Sequence, residues 1–332
     1  MVVQLCFDPM PKGFVFSKPI SQDNYDEREL LALEAKGRLI ITRKRNGWRL
    51  FAVKANYGNW KFYTDKMNEV CFLDHLKEIF SSHQIPNCTM LAGEAVVPWS
   101  LNESDDLARV QRIFNSKRGR ALELQKQIGQ VNFRPFDIIF WNGRAVCQDE
   151  GYRERIGRLT AEFGGTKHYF NRVIWPAEIV DGSLVKAKIL VSNRNWEGLV
   201  VYHENFRANF RVDGKEPQRI TGCWKWKPIL EDDFIVRHPI LDPANKNRVK
   251  EVALSQWNSG GLGRGAEFDC GKFGAFDQKT RDWLLKAKYP LVIQLEFQHR
   301  FPSGKLFGAR FVRFRWDKNL KDCRAPRKYP IV

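Results

Sequence analysis

Apolar residues recur along the chain in two rhythms, which together predict a mixture of strands and helices. Short runs rich in β-branched, aliphatic and aromatic residues predict strands at 39–42, 48–53, 90–97, 133–141, 199–203 and 222–227. Apolar residues spaced three or four apart predict helices at 69–80, 105–113 and 152–163. The pattern over residues 1–228 therefore predicts an α+β domain with mixed or antiparallel sheets.

The pattern changes after Pro228. Strand candidates follow at 233–239, 249–257, 268–276, 291–297 and 310–316, with a helix candidate at 277–288. Five short strands with one helix are typical of an OB-fold β-barrel. We therefore predict two domains, 1–228 and 229–332, that are joined by a short connection.

The composition predicts a folded protein inside the cell. The chain has 332 residues, enough to bury a substantial core, and 43% of them are hydrophobic. Its longest apolar runs, such as 136–141, are far shorter than the roughly 18 residues that span a membrane. Residues 1–10 lack a signal-peptide pattern, and the 7 cysteines form no CxxC pair, which favours reduced thiols. We expect an intracellular protein without membrane insertion.

Positive charge is concentrated at the end of the chain. The formal net charge is +17, and residues 300–332 hold 10 basic and 2 acidic side chains, whereas 229–299 hold 10 of each. Alternation along the predicted strand at 310–316 would place Arg313 and Arg315 on one face with Phe311. Phosphate is the expected partner of such a surface, although charge alone leaves membranes and acidic proteins open.

A candidate nucleophile lies between two predicted strands. Residues 44–49 read KRNGWR, and the Asn-Gly pair within them predicts a turn. A lysine at such a turn can act as a nucleophile when neighbouring cations or desolvation lower its pKa. Three arginines, Arg43, Arg45 and Arg49, flank Lys44. An exposed basic hairpin is the alternative interpretation of this segment.

Later segments add acids and further lysines within apolar strands. Glu94, Asp137 and Glu197 each lie in or beside such a strand. Lys225 and Lys227 alternate along one predicted strand, so they share a face. Buried acids and lysines need partners, which a nucleotide with Mg²⁺ would supply. The acids would hold metal or ribose hydroxyls, and the lysines would bind phosphates.

The order of these elements resembles the nucleotidyltransferase motifs of the ATP-dependent DNA ligases. In chain order, they are KxxGxR starting at Lys44, GE at Gly93 and Glu94, FD at Phe136 and Asp137, EGLVV at 197–201, and KxK at Lys225 and Lys227. Ligases of this type also carry a C-terminal OB-fold domain that ends in a basic stretch similar to residues 310–318. The resemblance implies a minimal enzyme with an adenylation domain at 1–228 and an OB-fold domain at 229–332.

This resemblance implies a reaction in three steps. Lys44 attacks the α-phosphate of ATP to form lysyl-AMP, AMP passes to the 5′-phosphate of a nick, and the adjacent 3′-hydroxyl displaces it. The expected cofactors are ATP and Mg²⁺ or Mn²⁺, and the expected partner is nicked duplex DNA during repair, replication or recombination. We expect a monomer in the cytoplasm or nucleoid of a bacterium or in a virus-infected host cell.

The resemblance also implies individual site residues. Those expected to take part in catalysis are Lys44, Arg49, Lys225 and Lys227. Those expected to contact ATP are Thr42, Lys44, Arg49, Glu94, Phe136, Glu197, Lys225, Lys227, Arg313 and Lys318. The expected metal ligands are Glu94 and Glu197, and the residues expected to bind DNA are Arg300, Lys305, Arg310, Arg313 and Arg315. Phe136 would stack on adenine, and Arg313 and Lys318 would orient the departing pyrophosphate.

Two departures from the ligase pattern keep alternatives open. Many DNA ligases have Asp where Asn46 stands and Lys where Tyr202 stands. RNA ligases share the motifs of the first domain and are the main alternative, while capping guanylyltransferases share them with GTP in place of ATP. A non-enzymatic nucleic-acid-binding protein is the remaining class, against which the intact lysines and glutamates argue. We expect the glycine-rich loop at 260–265 to lie between barrel strands and to touch DNA.

Overall fold

The structure is a computed structural model. It describes residues 10–21, 25–98, 107–164, 173–194, 196–218, 221–258, 266–301 and 303–325. The chain divides into two compact units, Met1–Lys227 and Pro228–Val332, here called the N-terminal and C-terminal units. The predicted loop at 260–265 lies outside the described residues, as do 326–332 at the basic end of the chain. Among the described helices, none is both long and apolar enough to cross a membrane.

The N-terminal unit mixes strands and helices, as the sequence pattern predicts. Its strands are β1 (Val15–Phe16), β2 (Ile20–Ser21), β3 (Leu39–Lys44), β4 (Trp48–Lys54), β5 (Trp60–Thr64), β6 (Thr89–Val96), β7 (Asn132–Phe140), β8 (Gly198–His203), β9 (Phe210–Arg211) and β10 (Cys223–Trp226). Its helices are α1 (Glu27–Ala35), α2 (Asp74–Ser81), α3 (Leu107–Phe114), α4 (Arg118–Ile128), α5 (Val146–Asp149), α6 (Tyr152–Phe163) and α7 (Leu184–Arg194).

Two four-stranded sheets organise this unit. The first has the order β2-β10-β8-β3 and the second the order β5-β4-β6-β7, while β1 and β9 form a separate pair. Strands β3 and β4 are consecutive in the chain but belong to different sheets. The alternative interpretation of residues 44–49 as a hairpin is therefore wrong, because this turn carries the chain from one sheet to the other.

Alternation along the strands of the first sheet separates a packed face from an open one. Ile41, Leu199, Val201 and Trp224 pack with residues of α1 and α7 in one buried cluster. Because successive side chains of a strand point to opposite faces, the intervening residues of β3, β8 and β10 face away from these helices. That second face contributes to the pocket described below.

The predicted helices are present with shifted boundaries. The predicted helix at 152–163 matches α6, whereas α2 begins at Asp74 and not at residue 69. Val70 donates its backbone N–H to Phe62 of β5, so this stretch continues the sheet before the helix begins. Part of the predicted helix at 105–113 lies outside the described residues, and α3 is described from Leu107.

The C-terminal unit contains a five-stranded antiparallel sheet in the order β13-β12-β11-β14-β17, with a two-stranded pair β15-β16. Its strands are β11 (Leu230–Asp242), β12 (Asn245–Trp257), β13 (Glu267–Phe273), β14 (Leu291–Phe297), β15 (His299–Arg300), β16 (Leu306–Phe307) and β17 (Arg310–Phe314), and its helix is α8 (Gln278–Lys286). The outer strands β13 and β17 do not pair within the described residues, so a closed barrel is not observed and the OB-fold stays a prediction.

Candidate active site

A pocket of the N-terminal unit brings the two sheets together. The first sheet lines it with residues of β3, β8 and β10, and the second with residues of β4, β6 and β7. Its lining is Phe16, Ser17, Lys18, Pro19, Thr42, Arg43, Lys44, Arg45, Arg49, Glu94, Arg134, Phe136, Asp137, Ala177, Val200, Tyr202, Phe206, Cys223 and Lys225. Seven of these side chains are cationic and two are acidic, which suits a polyanionic ligand.

Lys44, Glu197 and Lys227 meet at one edge of the first sheet. Strand β8 lies between β3 and β10 and is antiparallel to both, so its start lies beside the ends of the other two. Glu197 precedes β8, Lys44 ends β3, and Lys227 follows β10. The Lys44 Nζ lies 2.5 Å from Glu197 Oε2, and the Lys227 Nζ lies 2.6 Å from Glu197 Oε1. One carboxylate therefore bridges two ammonium groups.

The two lysines determine the charge of Glu197. Burial by itself would raise the pKa of this carboxyl, but the positive charges of Lys44 and Lys227 and their hydrogen bonds lower it below its usual value. Gly198 makes the arrangement possible, because a Cβ at this position would lie 2.1 Å from the carbonyl oxygen of Trp226. Glycine thus allows β8 to approach β10 closely enough for Glu197 to reach Lys227.

The turn after Lys44 needs glycine for a similar reason. A Cβ on Gly47 would lie 2.1 Å from the carbonyl oxygen of Ala95 and 2.9 Å from Glu94 Cγ. The turn therefore packs directly on β6.

The arginines on either side of Lys44 pair with an acid of the protein. The guanidinium groups of Arg43 and Arg45 each lie 3.5 Å from Glu178 Oε2.

One row of side chains crosses the first sheet toward the pocket. Thr42 of β3 is opposite Val200 of β8, which is opposite Lys225 of β10, and all three line the pocket. The Thr42 hydroxyl donates to the Val200 carbonyl oxygen over 3.0 Å. This bond engages the only proton that the Thr42 side chain can donate, so its hydroxyl is available to a ligand as an acceptor.

A second row crosses the other sheet. Arg49 of β4 is opposite Glu94 of β6, which is opposite Arg134 of β7, and all three line the pocket. Arg49 Nη2 donates to the carbonyl oxygen of Ser17 over 3.2 Å, and its guanidinium carbon lies 5.8 Å from the ring centre of Phe136. Arg49 and Glu94 were expected here from the sequence, whereas Arg134 was missed.

A β-bulge directs Phe136 into the pocket. Ala92 pairs with Asp137 and Gly93 with Pro135, so Phe136 has no partner opposite it on β6. The phenol of Tyr152 donates to the carbonyl oxygen of Phe136 over 3.0 Å. Proline in a strand is confined to edges and bulges, so Pro135 is the sequence signal that could have predicted this bulge.

Asp137, the acid of the FD pair, is held within the protein. Arg155 is fully buried and contacts both carboxylate oxygens of Asp137, Nε to Oδ1 over 2.6 Å and Nη2 to Oδ2 over 3.2 Å. Arg155 also donates to the carbonyl oxygen of Phe206 over 3.0 Å. The partner of this acid is therefore an arginine of α6, in place of the nucleotide or metal that the sequence predicted, and the pair holds β7 against that helix.

Tyr202 places an aromatic ring at the position that was compared, from the sequence, with the Lys of many DNA ligases. It lines the pocket and stacks on Tyr152, with ring centres 3.6 Å apart and planes inclined by 10°. Burial raises the pKa of both phenols well above the usual value, so they stay neutral. Phe206 and Cys223, also missed by sequence reasoning, line the same apolar side of the pocket.

In the C-terminal unit, a bulge overturns the predicted alternation of the basic strand. Arg313 is opposite Gln294 and Phe311 is opposite Leu295, so Val312 is an extra residue of β17. Phe311 packs against the core of this unit, whereas the Arg313 guanidinium donates to the Gln294 side chain over 2.8 Å. Arg313 and Phe311 therefore lie on opposite faces, contrary to the sequence prediction.

Arg315 and Lys318 share one acid. Asp233 of β11 lies 3.0 Å from Arg315 Nη1 and 2.8 Å from Lys318 Nζ. Arg315 also binds Asp317 over 2.8 Å, and this hydrogen bond lowers the pKa of Asp317 to about 2. Arg315, expected to bind DNA, and Lys318, expected to contact ATP, therefore lie together at Asp233. Asp233 was not predicted from the sequence as their partner.

Arg300 does not fit the predicted contact with DNA. Its side chain is 1% exposed, donates to Gln256 over 2.5 Å and lies 2.9 Å from Asp232 Oδ2. Burial raises the pKa of Asp232. This arginine belongs to a buried polar network, in contrast to Lys305 and Arg310, which are exposed. Arg310 pairs with Glu296 on the outer face of the sheet.

Comparison with known proteins gives matches among solved structures. No protein-family model matches the sequence, nor does any curated protein. The structure from the study of Lig E DNA ligases, described as binding DNA with a minimal scaffold, has 14% identity and a TM-score of 0.60, over 91% of this chain and 99% of that chain. Pmar-Lig_PreS3 has 17% identity and a TM-score of 0.60, over 91% and 68%. The ATP-dependent DNA ligase from bacteriophage T7, in complex with ATP, has 17% identity and a TM-score of 0.49, over 90% and 98%.

The match to the Lig E DNA ligase structure, with a TM-score of 0.60, decides the fold. The chain has the fold of a DNA ligase. The order of the motifs predicted a DNA ligase, and the structural match confirms this prediction at the level of the fold. A DNA ligase fold does not by itself define the substrate or the reaction, which depend on the side chains of the site.

Proposed function

We propose that this protein is an ATP-dependent DNA ligase that seals nicks between a 5′-phosphate and a 3′-hydroxyl in duplex DNA, in repair, replication or recombination. The observation that carries the proposal is the meeting of Lys44, Glu197 and Lys227 beside a cationic pocket, in a chain with the DNA ligase fold. All five motif segments contribute residues to the pocket or to the edge of the first sheet where Lys44, Glu197 and Lys227 meet.

In the first step, Lys44 Nζ forms a bond to the α-phosphorus of ATP. The bond from that phosphorus to the oxygen bridging to the β-phosphate breaks, and pyrophosphate leaves. An ammonium group has no free electron pair, so Lys44 must first lose a proton to solvent and leave its ion pair with Glu197. Glu197 thus holds the nucleophile in place before the reaction, and Lys227 keeps the carboxylate balanced afterwards.

In the second step, the 5′-phosphate of the nick attacks the phosphorus of lysyl-AMP, and the amine of Lys44 leaves and regains a proton. In the third step, the 3′-hydroxyl loses its proton to solvent and its oxygen bonds to the phosphorus of the 5′-phosphate, while the anhydride bond from that phosphorus to AMP breaks and AMP leaves. Each step is an in-line phosphoryl transfer, which depends on positioning and charge neutralisation. The excess of cations around the pocket serves this purpose.

The pocket residues have distinct proposed roles. Phe136 stacks on adenine from its bulge, and Arg49 contacts ribose or the nick phosphate. Lys225 and Lys227 bind phosphates, since the ammonium group of Lys227 has further donors beside the one that contacts Glu197. Thr42 offers its hydroxyl oxygen to a ligand donor. Tyr202, in place of the expected lysine, makes the wall of the pocket apolar and aromatic, which suits the face of a purine.

The carboxylates of the site fit Mg²⁺ in its usual role with nucleotides. Among the described residues, no group of three or more His, Cys, Asp or Glu could hold a metal by itself. Mg²⁺ commonly binds through one or two carboxylates together with substrate phosphates, so Glu94 and Glu197 would hold it (or Mn²⁺) with ATP. When bound, it would neutralise charge on the phosphates.

For the C-terminal unit we propose an OB-type domain that binds DNA. The antiparallel five-stranded sheet with α8 supports this assignment. Lys318 and Arg313 are proposed to orient pyrophosphate during the first step. The residues proposed to contact DNA phosphates are Lys305, Arg310, Arg313 and Arg315. Arg300 is not among them, because its guanidinium is buried.

The test is a covalent labelling experiment. The protein is incubated with α-labelled ATP and Mg²⁺, denatured, and examined for label that resists denaturation; labelled protein is then given nicked DNA. We expect label from ATP, loss of label to nicked DNA and appearance of sealed product. Lys44→Ala should abolish the label, whereas Lys54→Ala, a lysine of the next strand that contacts the Ile85 carbonyl oxygen, should retain it.

Other outcomes would replace the proposal. Transfer only to nicked RNA would identify an RNA ligase, and label from GTP would indicate a capping guanylyltransferase. A preparation freed of any bound AMP by pyrophosphate and Mg²⁺ that takes no label would identify a nucleic-acid-binding protein without this activity. Label that persists in Lys44→Ala would show that another residue is the nucleophile.

A further inference from the structure

Three aromatic side chains form a surface patch on the C-terminal unit. Trp283 of α8, Phe314 at the end of β17 and Trp316 in the following turn are here called the tryptophan patch. The ring centres of Trp283 and Phe314 are 4.3 Å apart, and Trp316 lies 5.4 Å from each. Trp316 is 68% exposed and Trp283 is 38% exposed. Large aromatic side chains in contact at a surface are typical of interaction sites.

The turn that presents Trp316 is held firmly. Arg315 donates its backbone N–H to the carbonyl oxygen of Val292 over 2.8 Å, and its guanidinium binds both Asp233 and Asp317. Lys318 binds Asp233 from the other end of the turn. The ring of Trp316 therefore projects from a fixed backbone and loses little freedom when a partner binds.

The surroundings of the patch are cationic. Lys279 and Lys286 lie four residues before and three residues after Trp283 on α8, so they share its helix face, and both are exposed. Asp282, which precedes Trp283, keeps its negative charge and accepts a hydrogen bond from the Gln278 side chain over 2.7 Å, so the two lysines outnumber it. The acid of the turn, Asp317, is paired with Arg315. An anionic partner with flat apolar groups fits this combination.

We infer that the tryptophan patch binds a DNA strand by stacking on its unpaired bases while the neighbouring lysines contact the phosphates. Every base has a face that stacks on an aromatic ring, and exposed aromatic residues beside cations are the usual platform for single strands. The inference rests on the proposed function for its choice of DNA. The C-terminal unit would then contact the bases of DNA as well as its phosphates.

The test compares two oligomers of equal charge. Binding of the full-length protein to oligothymidylate of about 12 nucleotides is measured beside an abasic oligomer of the same length, which has phosphates but no bases. We expect Trp316→Ala to weaken oligothymidylate binding about 5- to 150-fold and to leave abasic binding unchanged. Trp316→Phe should stay within about threefold of wild type, because phenylalanine also stacks.

Salt dependence separates stacking from charge. Trp316→Ala should weaken binding by the same factor at each salt concentration between about 50 and 200 mM, because stacking of Trp316 on a base releases no counterions. Lys286→Gln should instead reduce the slope of log K against log salt by about 0.7 on a single strand. Tyr57→Ala is the matched control, because Tyr57 is an aromatic residue of the N-terminal unit that is 83% exposed.

The outcomes distinguish this inference from the proposed function. If Trp316→Ala binds oligothymidylate as wild type does, the inference is wrong, whatever the labelling experiment shows. If the variant binds DNA normally but takes less label from ATP, the patch serves the adenylation step, which also overturns the inference. Loss of oligothymidylate binding in Trp316→Ala, in a wild-type protein that takes no label from ATP, would support the patch and refute the ligase.

Discussion

Glu197 is the residue whose charge is most closely tied to its neighbours. Two ammonium groups within 2.6 Å favour its ionised form, in spite of burial that opposes it. A group whose pKa is lowered in the folded state stabilises the fold above its unfolded pKa, and this contribution is lost as the pH falls through the folded value. The stability of the N-terminal unit should therefore decrease in acid.

We predict that Glu197→Gln lowers the free energy of unfolding by about 2 kcal/mol at neutral pH, because an amide cannot balance Lys44 and Lys227. Denaturant unfolding at several pH values measures this difference. It should be constant above about pH 5 and should shrink as the pH falls below about 4.3, the usual value for glutamate.

Glu123→Gln provides the matched control for this prediction. Glu123 is 64% exposed and pairs with Arg120 on α4, so its replacement should cost less than about 0.5 kcal/mol at any pH. If the loss in free energy of unfolding caused by Glu197→Gln did not change with pH, the conclusion that Glu197 is ionised in the folded protein would be wrong.

At the scale of elements, α6 is the support for β7. Tyr152 and Arg155 lie three residues apart on one face of α6 and bind successive residues of β7, namely the Phe136 carbonyl oxygen and the Asp137 carboxylate. A bulge leaves Phe136 without a partner on β6, so the helix supplies the hydrogen bond that the sheet does not. We infer that this contact orients Phe136 in the pocket.

We predict that Tyr152→Phe raises the KM for ATP in lysine adenylation about 3- to 10-fold and changes kcat less. The Phe136 carbonyl oxygen would lose a buried hydrogen bond worth about 1 kcal/mol, and the adenine-stacking ring would lose its fixed orientation. Initial rates of label transfer from ATP measure both constants. If kcat fell by the same factor as KM rose, or if only the thermal stability changed, Tyr152 would have a structural role alone.

At the scale of the whole molecule, the net charge of +17 should make DNA binding depend strongly on salt. If Lys305, Arg310, Arg313 and Arg315 each neutralise one phosphate, log K should fall with log salt with a slope of about −3.6. Binding of nicked duplex should then weaken about 100-fold or more between about 50 and 200 mM salt.

Fluorescence anisotropy of labelled nicked duplex measures this slope. Lys305→Gln should reduce it by about 0.9, because one phosphate contact is lost. A Tyr57→Phe protein, which keeps every cation, should retain the slope of wild type. Affinity that is indifferent to salt over this range would contradict an electrostatic mode of binding.

Local sequence patterns determined much of the architecture. Alternating and short apolar runs predicted β3, β4, β6, β7, β8 and β10, since a strand that is buried on one or both faces needs such residues. The order of Lys44, Glu94, Phe136, Glu197 and Lys225 predicted the DNA ligase fold. These features are encoded locally, so they can be read without knowledge of the packing.

Only the tertiary structure decided how these pieces meet. The sequence does not show that β3 and β4 join different sheets, because a turn with Asn-Gly also suits a hairpin. The bulge at Val312 turned the predicted face of Arg313, and burial beside Asp232 withdrew Arg300 from the surface. Strand register and burial depend on contacts between residues far apart in the chain, and no local pattern of polarity contains them.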